Sequence, residues 1–96
     1  MTTKKFSTYI LTNIRKTVLY IGMADNLKRR IRYHKGRYKG FTARYNVTQL
    51  VYYELHPDRK SASKRERQLK NLVRRKKEAL VNKFNPNWKD LYDNLD

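Results

Sequence analysis

Two runs rich in β-branched and aromatic residues, Phe6 to Asn13 and Val18 to Met23, are separated only by the polar stretch Asn13 to Lys16. So short a connection favours an antiparallel hairpin, because parallel neighbours need a crossover of about a dozen residues or more. Just beyond the second run, Asp25 or Asn26 can accept a hydrogen bond from the first-turn amides of a helix reaching about Lys35, and Gly36 suits its C-terminal cap. The chain therefore commits early to a hairpin that runs straight into a helix.

The remainder extends this pattern. Gly36 to Tyr45 is a basic, tyrosine-containing loop, and Gln49 to Leu55 reads as a third strand ended by His56-Pro57. Ser61 opens a second helix to about Leu72. Arg74 to Phe84 forms a third, with Leu80, Val81 and Phe84 on its apolar face and Asn85-Pro86 stopping it. The order strand, strand, helix, strand, helix, helix predicts an α+β fold with a small three-stranded, largely antiparallel sheet flanked by helices. Residues 1–96 are expected to form one domain, with residues 87–96 as a C-terminal tail whose Trp88, Leu91 and Tyr92 dock on the body.

Composition narrows the function. Lys and Arg number 24 against 8 Asp and Glu, a net charge of +16, which favours a polyanionic partner through screened attraction and counterion release. Nucleic acid fits best, DNA ahead of structured RNA. No hydrophobic run approaches the roughly 20 residues of a membrane span, and no signal-peptide pattern opens the chain, so a cytoplasmic protein without a membrane partner is expected. The absence of cysteine removes disulfides, thiolate zinc sites and a Cys nucleophile. Ten cations fall between Arg59 and Lys77, whereas before the acidic tail only Asp25, Glu54, Asp58, Glu66 and Glu78 are acidic. Very few carboxylates are thus available to a divalent cation.

Three polar side chains interrupt the apolar stripes of the first two helices. Ala62, Glu66, Leu69 and Val73 share one face, so a carboxylate is expected to face the sheet; a salt bridge to an arginine and a metal-ligand role are both open to it. Arg30 and His34 lie on the stripe of Leu27 and Ile31, with Arg30 expected to face inward while Lys28, Arg29 and Arg32 point to solvent or to backbone phosphates. An Arg30 to Glu66 ion pair is the plain structural alternative.

Taken together, Tyr9, Tyr20-Ile21-Gly22, Arg30, His34 and Glu66 resemble the GIY-YIG nuclease domain over nearly the whole chain, in particular its short stand-alone bacterial members. The resemblance implies a metal-dependent endonuclease that hydrolyses DNA phosphodiesters, in repair or in the processing of branched or damaged DNA. It implies that Glu66 holds a single Mg²⁺ or Mn²⁺ and that Arg30, eight residues beyond Gly22, grips the scissile phosphate. Tyr9, Tyr20 and His34 would handle the proton of the attacking water, and Gly22 would let the backbone turn into the helix beside the phosphate. The first half-motif reads Ser7-Thr8-Tyr9 rather than Gly-Ile-Tyr, no lysine follows Gly22, and Asn85, Asn87 and Lys89 all fall near the family's late asparagine.

Away from that constellation, the expected nucleic-acid contacts are Lys28, Arg29, Arg37, Lys39, Arg44, Lys64, Arg67 and Lys70, with Tyr38, Phe41 and Tyr45 interleaved in the basic loop. One such site cuts one strand per event, so double-strand cleavage calls for a homodimer or two encounters, and a partner protein is the expected source of targeting. The competing expectation is a binding protein for DNA or structured RNA that keeps the fold without cleaving.

Overall fold

The computed structural model describes residues 6–36 and 45–95. Strand β1 (Phe6–Thr12) runs antiparallel to β2 (Leu19–Ala24), and helix α1 (Leu27–Gly36) follows two residues later. Strand β3 (Gln49–His56), helix α2 (Arg59–Asn71), helix α3 (Arg74–Phe84) and a short 3-10 turn at Tyr92–Asn94 complete the described chain. The sheet order is β2-β1-β3, antiparallel throughout, so the predicted α+β architecture holds.

Local chemistry explains the joints. The Asn13 carboxamide oxygen accepts from the Thr17 and Val18 amides at 2.9 and 3.1 Å, closing the hairpin turn in which Lys16 adopts φ 61°. Asn26, rather than Asp25, caps α1 by accepting from the Arg29 amide at 3.0 Å. Asp58 caps α2, accepting from Ser61 N at 2.7 Å, so this helix begins two residues before the expected Ser61.

Two cores lie on the two faces of the sheet. Tyr9, Leu11, Ala24, Leu27, Ile31, Val47 and Leu50 form the layer beneath α1, and Ile10, Ile21, Val51, Tyr52, Leu69 and Val81 form the layer beneath α2 and α3. Strand alternation sends neighbouring residues to opposite layers, as with Tyr9 and Ile10. The exception is Val51. Ile10 pairs with Tyr52 and Leu11 with Leu50, a bulge that turns Val51 and Tyr52 into the same layer.

Two expectations need correcting here. Val73 does not continue the face of Ala62 and Leu69: α2 ends before the extended Leu72, and Val73 is the exposed residue preceding α3. Gly22 is no turn into α1 but lies inside β2, opposite Tyr9. The tail docks as expected. Leu91 N donates to Leu50 O at 2.8 Å, and the Asp90 carboxylate accepts from Leu50 N at 3.1 Å while pairing with Lys35 of α1.

Candidate active site

The centre of the site is a buried phenol. Tyr9, 1% exposed, brings its hydroxyl to 3.1 Å from His34 Nε2, joining the central strand to the last turn of α1. This contact depends on Gly22. A Cβ at that position would lie 2.5 Å from both Cζ and Oη of Tyr9, so the glycine provides the space in which the phenol lies across β2. The Tyr20 ring stands edge-on to His34 at 5.6 Å and is half-buried, and Tyr33 meets the same imidazole from its other neighbouring position at 6.5 Å.

His34 is 3% exposed, and burial pushes its pKa below the usual 6.5, with the positive charge of Arg30 adding to the shift. Near neutral pH the ring is therefore an uncharged imidazole that can accept a proton as well as relay one. Arg30 itself is exposed, contrary to the inward orientation expected of it. A long guanidinium side chain follows the edge of the stripe and carries its charge to water while remaining close enough to act on His34. With Asp25, Asn26, Arg29 and Tyr33 it lines an open depression of about 420 Å³.

Glu66 lies on α2, in the layer on the other face of the sheet. Its side chain is 24% exposed, neither sealed by Trp88 nor turned fully onto the sheet, and its ion pair is with Lys70 at 3.4 Å. The Arg30 to Glu66 pair is absent among the described residues. The adjacent Arg65 ties α2 to β3, its Nε donating to both oxygens of Glu54 at 2.9 and 3.1 Å. Burial raises the pKa of Glu54, but its hydrogen bonds from Arg65 and Tyr52 outweigh this and hold the carboxyl below its ordinary range. Tyr52, buried and donating to that carboxylate, is pushed up to about 12.

The remaining expected contacts divide. Lys28 is half-buried and its ammonium donates to Leu95 O at 3.4 Å, so it partly serves the tail; Arg29 reaches Asp25 at 3.6 Å. Lys64 and Arg67 are exposed and line, with Arg59, Lys60 and Ser63, an open groove of about 640 Å³ along α2. Lys70 is the partner of Glu66. Arg37, Lys39 and Arg44, with Tyr38 and Phe41, lie outside the described residues. Asn85 proves to be a structural amide: it is buried, donates to Val51 O at 3.2 Å and to Lys89 O at 2.8 Å, and accepts from Lys89 N at 3.2 Å.

No group of three or more His, Asp or Glu side chains that could hold a metal occurs among the described residues. The donor chemistry at Glu66 nevertheless fits Mg²⁺ or Mn²⁺, which bind phosphate enzymes through one or two carboxylates and take their other ligands from water and substrate. The carboxylate has open solvent beside it, and its ammonium partner is mostly exposed and displaceable.

Fold and motif together define the class: residues 5–79 match the GIY-YIG catalytic domain, and the chain belongs to that family, which is typical of endonucleases. Among its relatives, a UPF0213 protein of Desulfotalea psychrophila is 37% identical over 76 residues, covering 77% of this chain and 69% of the relative. The solution NMR structure of a UPF0213 protein from Bacillus halodurans is similar at a TM-score of 0.51 and 32% identity, covering 80% of this chain and 82% of that one. The Ser7-Thr8 departure is accommodated by burial, with Thr8 Oγ1 donating to Ala62 O of α2 at 2.8 Å.

Proposed function

We propose that this protein is a metal-dependent endonuclease that hydrolyses DNA phosphodiester bonds, with Tyr9, Tyr20, Arg30 and His34 acting from the α1 side of the sheet and Glu66 from α2 on its other side. The observation that carries the reading is the Tyr9 to His34 hydrogen bond beneath Gly22, a pair of proton-handling groups held in the core beside an exposed arginine. Burying two polar groups is costly unless each satisfies the other.

In the reaction, water attacks phosphorus, the bond to the ester oxygen breaks, and the water proton must leave. Tyr20, the half-buried tyrosine, faces that water, and the buried Tyr9 and neutral His34 behind it form the acid–base reserve. The exposed Arg30 guanidinium takes two phosphate oxygens as negative charge develops on them. Glu66 would hold the Mg²⁺ or Mn²⁺, which supplies neutralisation of phosphate charge and assistance to the departing oxygen.

The test is cleavage of single-stranded, branched and duplex DNA with Mg²⁺ or Mn²⁺ by the wild type, Glu66→Ala and Arg30→Ala. Metal-dependent cutting by the wild type and a loss of at least about a hundredfold in both variants is expected, the usual scale for removing one transition-state contact. A wild type that cuts nothing while all three proteins bind DNA alike refutes the enzyme and leaves the second reading, a binding protein. That second reading draws on the near-complete burial of Tyr9 and His34.

A further inference from the structure

Tyr33 has no counterpart among the residues expected from the motif, yet it occupies a distinctive place. Its ring is 49% exposed on α1, it is packed edge-on against His34, and it lines two adjoining depressions. Among the described residues, the first, of about 420 Å³, is also lined by Asp25, Asn26, Arg29 and Arg30, and the second, of about 280 Å³, by Arg29, Arg32 and Gly36. The first lies within the size range of small-ligand sites, about 300–1,000 Å³. One aromatic ring thus stands among three guanidiniums, one residue from the proton-handling imidazole.

We infer that this depression is a subsite for an unpaired nucleotide next to the scissile bond, with Tyr33 stacking on its base and Arg29 and Arg30 holding the flanking phosphates. The inference rests on the proposed nuclease reading and specifies its substrate class. A base inside a duplex has both faces covered by its neighbours, and presenting a face to Tyr33 would require pulling it out of the stack. An unpaired base does so without that cost, and every base offers a π-face regardless of sequence. The chemistry therefore selects single strands, flaps and bulges over continuous duplex, and selects no sequence.

The test uses the full chain without metal, so that binding is read apart from cleavage. Oligonucleotides carry 2-aminopurine at one unpaired position, and stacking on Tyr33 is read as quenching beside an anisotropy titration. Tyr33→Ala is expected to abolish the quench and to weaken single-strand and flap binding by about fivefold to a hundredfold, the range for one base on an aromatic ring. Tyr33→Phe keeps both, because the ring and not the hydroxyl does the stacking. Duplex binding is unchanged in either variant, and the loss in Tyr33→Ala disappears when the unpaired position is abasic. Equal losses on duplex and single strand, a loss that persists on the abasic strand, or no loss at all overturns the inference. A wild type that cuts DNA without quenching overturns the subsite alone, whereas quenching without metal-dependent cutting overturns the nuclease reading alone.

Discussion

Gly22→Ala is the sharpest perturbation of this site, because two principles predict opposite signs for it. Glycine inside a strand costs roughly 0.5–1 kcal/mol relative to alanine, so on propensity alone the substitution stabilises. The geometry says otherwise. The new Cβ would sit 2.5 Å from Cζ and Oη and 3.0 Å from Cε1 of Tyr9, a rigid ring packed between β2 and α1 with nowhere to retreat. Overpacking of this kind costs about 1–3 kcal/mol, and displacing the phenol also breaks its bond to His34, which adds about 1 kcal/mol. Set against the propensity gain, a net loss of about 1–3.5 kcal/mol is expected, a large share of a total stability on the order of 5–15 kcal/mol. In a domain this size that lowers the melting temperature by roughly 5–25 °C, measurable by circular dichroism, with urea titration checking that the transition slope is unchanged. A Gly22→Ala protein that melts at or above the wild-type temperature refutes the claim that Tyr9 lies over this glycine.

Tyr9→Phe keeps the ring and deletes the hydroxyl, leaving His34 Nε2 without that partner; a stability loss of about 1–2 kcal/mol by urea titration is expected together with a cleavage rate lower by about a hundredfold or more. The lowered pKa of His34 means that, between its folded value and 6.5, the unfolded chain binds a proton that the native one refuses, so stability rises with pH across that window and falls as pH drops through it. Urea midpoints measured from pH 7.5 downward should show this slope, and His34→Gln should flatten it. Glu54 acts in the acid range: its depressed pKa contributes stability that is present above 4.5 and lost as pH falls through the folded value, and Arg65→Met should weaken that dependence. Asn85→Ala removes two donated bonds and one accepted bond and should release the tail, read as faster amide exchange at Lys89 and Leu91, with a cost of about 1–3 kcal/mol.

Where the fold was legible in the sequence, the deciding interactions were local. The hairpin follows from Asn13 and its immediate neighbours, and α3 from Arg74 to the Asn85-Pro86 stop, because turn and cap chemistry acts within a few residues. The departures arise from contacts between distant residues. Gly22 looks like a turn glycine until the strand register sets it opposite Tyr9, and the bulge at Val51 exists only in the pairing of β3 with β1. Val73 kept the helical spacing of Ala62 and Leu69 across a break at Leu72 that periodicity alone does not reveal. The helical spacing of Arg30 points it inward, but a side chain of that length takes its charge to water. Among Asn85, Asn87 and Lys89, only burial and the bonds to Val51 and Lys89 single out Asn85.

The cations themselves fall into two sets, and the division bears on how the site works. Lys28 and Lys35 hold the tail, Arg65 holds β3, and Arg74 donates to the hairpin turn through Thr17 O and Lys16 O at 2.9 and 2.7 Å. These charges are part of the architecture, and neutralising them should damage folding before binding. Arg30, Arg32, Lys64 and Arg67 are exposed and make no ion pair among the described residues, so their charge is available to phosphate at little structural cost. The groups proposed for proton handling show the opposite arrangement, with Tyr9 and His34 locked into the core that stabilises the domain. Activity lost through Tyr9 or Gly22 is therefore expected to be entangled with stability, whereas loss through the exposed Arg30 is expected to leave folding intact and to combine a lost phosphate contact with a lost charge beside His34. Arg30 is the residue at which chemistry and folding separate most cleanly.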